Sequence, residues 1–292
     1  MSAATSESLA EVPGGRVFVR EWRAAASEAP PIVLLHDSLG SVEQWRDFAP
    51  ALAEAAARPV IAYDRLGFGR SAARTGRPSL DFIREEAQSC FPALQRALGI
   101  GRCALFGHSV GGAMAIAIAA SSGAAWEAVV TEAAQAFVEP RTLAGIRAAR
   151  AQFEDADRFA RLTRWHGEKA RWVLDAWTSV WLSPEFASWT LDPQLAHVHC
   201  PVLAIHGDSD EYGSVEFARR ITSTVAGPSQ LAILASCGHV PHRERRGEVL
   251  RLTAAFLARH TGRPEQACSG EEGGRGGQQG GGEAECSGTS SP

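Results

Sequence analysis

A serine hydroxyl attacks a carbonyl only when a base takes its proton and an acid holds that base in the right tautomer. Ser109 stands where this chemistry is feasible, in Gly107-His108-Ser109-Val110-Gly111, a complete G-x-S-x-G pattern. Its glycines let two backbones close on each other around a serine presented on a sharp turn. A plain Gly-rich turn with an N-capping serine has the same letters. Context separates the two: the apolar run Cys103-Ala104-Leu105-Phe106 precedes the pattern and another, Ala113 to Ala120, follows it. A buried strand feeding a helix through that turn is the setting a nucleophile elbow needs.

Partners for the serine must come from later loops at the same edge of a sheet. Two loops qualify. The apolar run Val202 to Ile205 leads into His206-Gly207-Asp208-Ser209-Asp210-Glu211, and the run Gln230 to Leu234 leads to Cys237-Gly238-His239. His239 is then the candidate base, and either Asp208 or Asp210 the acid. Attack on a carbonyl also creates an oxyanion that needs N–H donors. The Val110 amide, directly after the serine at the start of its helix, is one.

The elements required to position these residues alternate along the chain. Arg16 to Trp22 alternates like a strand with one covered face, while Ile32 to Leu35 and Val60 to Tyr63 are continuous apolar runs of the kind buried on both faces. Val42 to Ala57 has helical spacing and stops before Arg58-Pro59; Ser79 to Leu98 reads as a helix closed by Gly99, with Pro92 predicting a kink or two shorter helices. Trp126 to Val130 reads as a further strand, and Val215 to Val225 and Val249 to His260 as helices. Strands alternating with helices at this rhythm predict an α/β fold with a doubly wound, mostly parallel sheet.

The rhythm stops between residues 136 and 197, a helical stretch holding five of the eight tryptophans. This predicts a helical, Trp-rich cap inserted between two strands of a core built from 13–135 and 198–262. Residues 1–12 are small and polar and are expected to be a flexible N-terminus. Residues 263–292 turn to Gly, Glu, Gln and Ser, the composition of a disordered tail, which would leave Cys268 and Cys286 as free thiols.

With 45% hydrophobic and 21% charged residues in 292, the chain has the makings of an ordinary soluble globular protein. A net charge of −4 argues against a nucleic-acid footprint, which wants a basic face. The six cysteines form no CxxC pair and have no metal-ligand spacing against histidines. Neither a secretory leader nor a membrane-spanning run is apparent, so a cytoplasmic protein without a membrane partner is expected.

The combination of Leu34-Leu35-His36 with Gly40, Tyr63-Asp64-Arg65-Leu66-Gly67-Phe68-Gly69-Arg70-Ser71, the GHSVG elbow, Gly207-x-x-Asp210 and Gly238-His239 resembles the α/β-hydrolase fold serine hydrolases over residues 16 to 260. The order Ser109, Asp, His239 is the triad order of that fold. The resemblance implies Asp210 as the acid, since the acid of relatives lies three residues after that glycine. It also implies a second oxyanion donor in the loop after the first central strand. There this chain has His36-Asp37-Ser38-Leu39-Gly40 where most relatives carry His-Gly; Ser38 is the matching position and Leu39 the fallback. A carboxylate beside an oxyanion is unfavourable, so Asp37 is expected to turn toward Arg65 or another cation. His36 and His108 are expected to brace these loops, and Trp45 to pack in the core.

The resemblance implies hydrolysis of a small ester or enol-lactone through an acyl-enzyme, with no metal and no organic cofactor. Ring-cleavage carbon–carbon hydrolases share the triad, although many carry Trp after the histidine where this chain has Val240. Cofactor-free perhydrolase activity and a slow-turnover ligand-binding protein are the remaining readings. Trp165, Trp177 and Trp181 are candidate substrate contacts, against the commoner use of large aromatics as packing. The arginines at 141, 147, 150, 158, 161 and 164 read as a solvated helix face. Oligomeric state is not readable from this sequence.

Overall fold

The computed structural model describes residues 4–23, 27–76, 78–121 and 126–261. Its strands are β1 (Ala4–Val12), β2 (Gly15–Arg23), β3 (Ile32–Leu35), β4 (Val60–Tyr63), β5 (Ala104–His108), β6 (Ala128–Glu132), β7 (Val202–Gly207) and β8 (Ser229–Leu234). They form one sheet in the order β1-β2-β4-β3-β5-β6-β7-β8. From β4 to β8 every pairing is parallel; β1 and β2 join antiparallel at one edge. Helices α1 (Phe48–Ala56), α2 (Phe82–Glu85), α3 (Phe91–Ala97) and α4 (Val110–Ser121) connect the first parallel strands. Between β6 and β7 lie α5 (Pro140–Gln152), α6 (Ala156–His166), α7 (Ala170–Trp181) and α8 (Asp192–Leu195). Helix α9 (Glu216–Thr224) precedes β8, and α10 (Pro241–Glu244) and α11 (Arg246–Thr261) follow it.

The apolar runs build the centre because successive strand residues point to opposite faces. In β3, Val33 and Leu35 enter one apolar layer and Ile32 and Leu34 the other. Strand β5 divides in the same way, Leu105 against Ala104 and Phe106, and so does β7, Val202 and Ala204 against Leu203 and Ile205. Helix α4 carries apolar or small residues all round and is buried almost to its end, as the central helix of such a layer must be. Fully burying one such Leu or Phe contributes about 1.5–3 kcal/mol.

Two expectations are corrected. Residues 4–12 are not a loose leader; they pair in register with β2 through the turn at Pro13-Gly14, where Gly14 has φ of 97°. Their side chains are exposed on both faces down to Leu9, so no alternation advertises the strand. The helix expected over 42–57 is a 3₁₀ turn at Val42–Trp45 followed by α1, broken where Arg46 takes φ of 47°. Around Pro92 the alternative of two shorter helices is the one that forms: α2 and α3 are joined by a π-helical turn over Glu86–Cys90, with the proline in the first turn of α3, where its missing N–H costs nothing. Residues 263–292, with Cys268 and Cys286, lie outside the described residues. Among the described residues no helix is long and apolar enough to cross a membrane.

Candidate active site

Ser109 sits between the end of β5 and the start of α4, with φ of 56°, a left-handed conformation that non-glycine residues adopt only under surrounding constraint. The constraint comes from close backbone approach. A Cβ at Gly107 would lie 2.2 Å from the Gly111 carbonyl oxygen, and one at Gly111 would lie 2.1 Å from the Leu35 carbonyl oxygen. The Ser109 N–H donates to the Glu132 carbonyl of β6 at 2.8 Å, which ties the turn to the neighbouring strand.

Three elements deliver the rest. His239, in the loop after β8, has Nε2 3.1 Å from Ser109 Oγ. Its Nδ1 donates to Asp210 in the loop after β7, 2.8 Å from Oδ2 and 3.0 Å from Oδ1. Asp208, the alternative acid, is exposed and accepts from Ser209 Oγ. Asp210 is also fixed by the Tyr212 N–H at 2.7 Å and has His206 Nε2 3.4 Å from Oδ2. Burial alone would raise the Asp210 carboxyl, but the hydrogen bond and charge of His239, with His206, outweigh it and hold it below the usual range. For His239 burial alone would lower the imidazole; Asp210 first, then the carboxylates of Asp37 and Glu211, outweigh it and raise it above its ordinary value.

The loop after β3 closes on the serine from the other side. Asp37 Oδ1 accepts from the Leu39 N–H at 3.1 Å, so the Leu39 amide is already used and the Ser38 amide is the donor left in this loop. Val110 is the first residue of α4, and its N–H has no acceptor within the helix. The expected partner of the Asp37 carboxylate is corrected. Arg65 donates to the Asp37 backbone carbonyl at 2.8 Å, while Oδ2 of the side chain faces His108 Nδ1 at 3.6 Å. An Asx turn satisfies the carboxylate locally, which removes its need for the arginine.

The neighbouring histidines have tautomers set by their partners. His36 donates from Nδ1 to the Asp37 carbonyl and accepts at Nε2 from the Arg65 N–H. His108 donates from Nε2 to the His239 carbonyl at 2.8 Å, and burial pushes its pKa down to about 4, so it stays neutral. His108, Glu132 and His242 have donor atoms within 4.8 Å of one another and could on distance alone hold a metal ion. Their polar atoms are largely taken by this bracing network, His242 Nδ1 donating to Glu132 Oε2 at 2.6 Å.

A cleft of about 260 Å³ opens over Ser109 and His239, walled by Gln135, Trp177, Trp181 and Tyr212 among others. Trp177 and Trp181 therefore reach the site, whereas Trp165 does not line it; α6 turns Leu162 and His166 inward, one helical turn apart, and leaves Trp165 half-buried beside them. Trp181 also packs against Phe186 and Trp189. Of the six arginines read as a solvated helix face, all among the described residues, Arg141 is the one that donates toward the site, to the Asp210 carbonyl at 3.3 Å.

Two residues here carry no local sequence signal. Gln135 places its amide Nε2 3.2 Å from Ser109 Oγ, opposite the imidazole. His166, at the end of α6, accepts from the Gly69 N–H at 2.9 Å and donates to the Leu39 carbonyl at 3.0 Å. Position alone could have flagged Gln135, three residues beyond the end of β6 at the edge where Ser109 sits.

The alpha/beta hydrolase family matches residues 32–252 of the chain. Among curated proteins, the 1-acylglycerol-3-phosphate O-acyltransferase of Homo sapiens is 34% identical over 109 residues, 36% of this chain and 29% of that protein. The proline iminopeptidase of Lactobacillus helveticus is 37% identical over 90 residues, 31% of this chain and 30% of that protein. The matches thus span about three-tenths of either relative's length. Among solved structures, the enol-lactonase from Burkholderia xenovorans LB400 superposes with a TM-score of 0.66 at 21% identity, over 86% of this chain and all of the other, 100%. A serine hydrolase involved in carbazole degradation gives 0.67 at 23% identity, over 87% and 99%. At such identities the likeness is one of fold.

Proposed function

This chain is a hydrolase of the alpha/beta hydrolase family, and from that premise we propose that it is a serine hydrolase of small esters or enol-lactones. The observation that carries the reading is the unbroken line Ser109 Oγ, His239 Nε2, His239 Nδ1, Asp210, at 3.1 and 2.8 Å, beneath a cleft. His239 takes the Ser109 proton as Oγ attacks the carbonyl. Asp210 keeps the imidazole in the tautomer whose Nε2 is free to accept, and stabilises the imidazolium that forms. The amides of Ser38 and Val110 receive the oxyanion, a contribution worth about 10²- to 10³-fold in rate per donor. His239 then protonates the departing alkoxide or enolate, and the same imidazole activates the water that releases the acyl group. No step calls for a metal or an organic cofactor.

Substrate size follows from the cleft, and its apolar walls from Trp177 and Trp181 of α7, which act as the cap over the acyl chain. The shared fold with an enol-lactonase supports the lactone half of the reading. Ser109→Ala should lower kcat on a short p-nitrophenyl ester by at least ~10³-fold and abolish labelling of the protein by a fluorophosphonate. Wild-type protein that resists the fluorophosphonate, or a variant that retains turnover, overturns the assignment.

A further inference from the structure

Arg65 is 5% exposed and lies beside the serine loop, donating from Nη2 to the Asp37 carbonyl at 2.8 Å with its guanidinium 4.2 Å from the centre of the Phe68 ring. Its Nε is buried without a partner, and among the described residues it forms no ion pair. The other buried arginine contrasts with it: Arg58 meets the Glu127 carboxylate at 2.5 Å. A guanidinium carries five N–H donors and cannot shed its charge, so burying one with Nε unpartnered and no ion pair is costly unless something fills the site.

Arg65 lines a chamber of about 40 Å³ together with Arg74, Glu86, Ser38, Trp177 and Trp181. Ser38, Trp177 and Trp181 are also walls of the cleft over Ser109, so the two spaces adjoin at those side chains. The chamber has room for a carboxylate and little more. Arg74 is already engaged with Glu85 at 2.9 Å, which leaves Arg65 as the uncommitted cation. Glu86 is the carboxyl group within the chamber; burial raises its pKa, and it accepts from the Tyr63 hydroxyl at 2.7 Å.

We propose that this chamber is a carboxylate subsite, and that the ester or lactone cleaved at Ser109 carries a second, ionised acid group on its acyl half, bound by Arg65. The inference rests on the serine hydrolase reading above. The acyl half is the part retained through both steps of the reaction, and Ser38, whose amide faces the acyl oxygen, borders the chamber. A charge-assisted, bidentate contact of this kind discriminates strongly against a neutral isostere.

The test compares monomethyl adipate with its uncharged primary amide by proton release, in wild-type protein, Arg65→Met and Arg65→Lys. Wild type should favour the acid by about 10- to 100-fold in kcat/KM, the range expected for one charge-assisted contact. Arg65→Met should bring that ratio near one, and Arg65→Lys should keep part of it. The ratio is the readout because Arg65 also holds the Asp37 carbonyl, so absolute rates on both esters should fall together. A wild-type ratio near one, or a ratio that survives in Arg65→Met, overturns the proposal. Free glutarate should raise the melting temperature of wild type and leave that of Arg65→Met unchanged, a readout independent of turnover. A glutarate response without ester hydrolysis would fault the reaction and keep the subsite; hydrolysis without acid preference or glutarate response would do the reverse.

Discussion

His239 has to be neutral to accept the Ser109 proton, so kcat/KM should rise as pH climbs through the pKa of this imidazole. That pKa is raised: burial opposes the charged form, but Asp210 and then Asp37 and Glu211 favour it more. The acid limb of the pH profile should therefore lie above that of free imidazole. Asp37→Asn keeps an acceptor for the Leu39 N–H while removing one negative charge near the ring, so it should move the acid limb toward lower pH. A limb that stays in place in the pH–kcat/KM profile would show that His239 does not feel Asp37. The residues legible in the sequence were those fixed by a local pattern. Ser109 was marked by its glycines and His239 by Gly238, whereas the local pattern left Asp208 and Asp210 open and only the resemblance, with the acid three residues after Gly207, selected Asp210. Gln135 and His166 act through distance across the fold, to Ser109 and Leu39 respectively, and nothing beside them in the chain records it.

At the scale of elements, α6 and the loop after β3 are joined by one imidazole. His166 Nδ1 accepts from the Gly69 N–H, so Nε2 carries the proton given to the Leu39 carbonyl, next to the Ser38 amide. Lys169 reinforces the same seam, its ammonium donating to the carbonyls of Gly69 and Ser71 at 2.6 and 2.5 Å. His166→Ala should leave the buried Gly69 N–H without this partner, costing about 1–3 kcal/mol in denaturant unfolding, while the Leu39 carbonyl keeps the Gln44 amide at 2.7 Å. Because the lost bond steadies the loop proposed to hold the oxyanion, kcat should also fall, by up to ~10²-fold for a displacement near 1 Å. Unchanged kcat with the expected stability loss would confine His166 to a structural role. The parallel strands of the core were legible because burial on both faces writes itself as an unbroken apolar run. Strand β1 was not, since its side chains from Ala4 to Leu9 are exposed and leave no alternation to read.

Across the whole molecule, the parallel sheet has two ends with different work. Ser109, Asp210 and His239 gather where β5, β7 and β8 finish, while the opposite end is closed by the buried Arg58. Its Nη1 donates to Glu127 Oε2 at 2.5 Å and to the Pro30 carbonyl at 3.1 Å, and its Nη2 to Thr261 Oγ1 at 2.5 Å. One side chain thus joins the entry to β3, the entry to β6 and the end of α11, the last contact being 203 residues distant in sequence. Arg58→Met should strand the Glu127 carboxylate in the interior, at a cost of about 3–5 kcal/mol. Arg102, 3.3 Å from the other Glu127 oxygen, offsets little of this because 65% of its side chain is exposed and its charge is screened. At about 2–4 °C per kcal/mol for a chain of this size, the melting temperature should drop visibly. A double variant, Arg58→Met with Glu127→Leu, should recover much of the loss, since an apolar pair of similar volume replaces a buried ion pair at little cost. Turnover per folded molecule should be unchanged in both variants, because the pair lies at the end of the sheet away from Ser109. A double variant no more stable than the single one would mean that the hydrogen bonds to Pro30 and Thr261, and not the charge pair, hold that end closed.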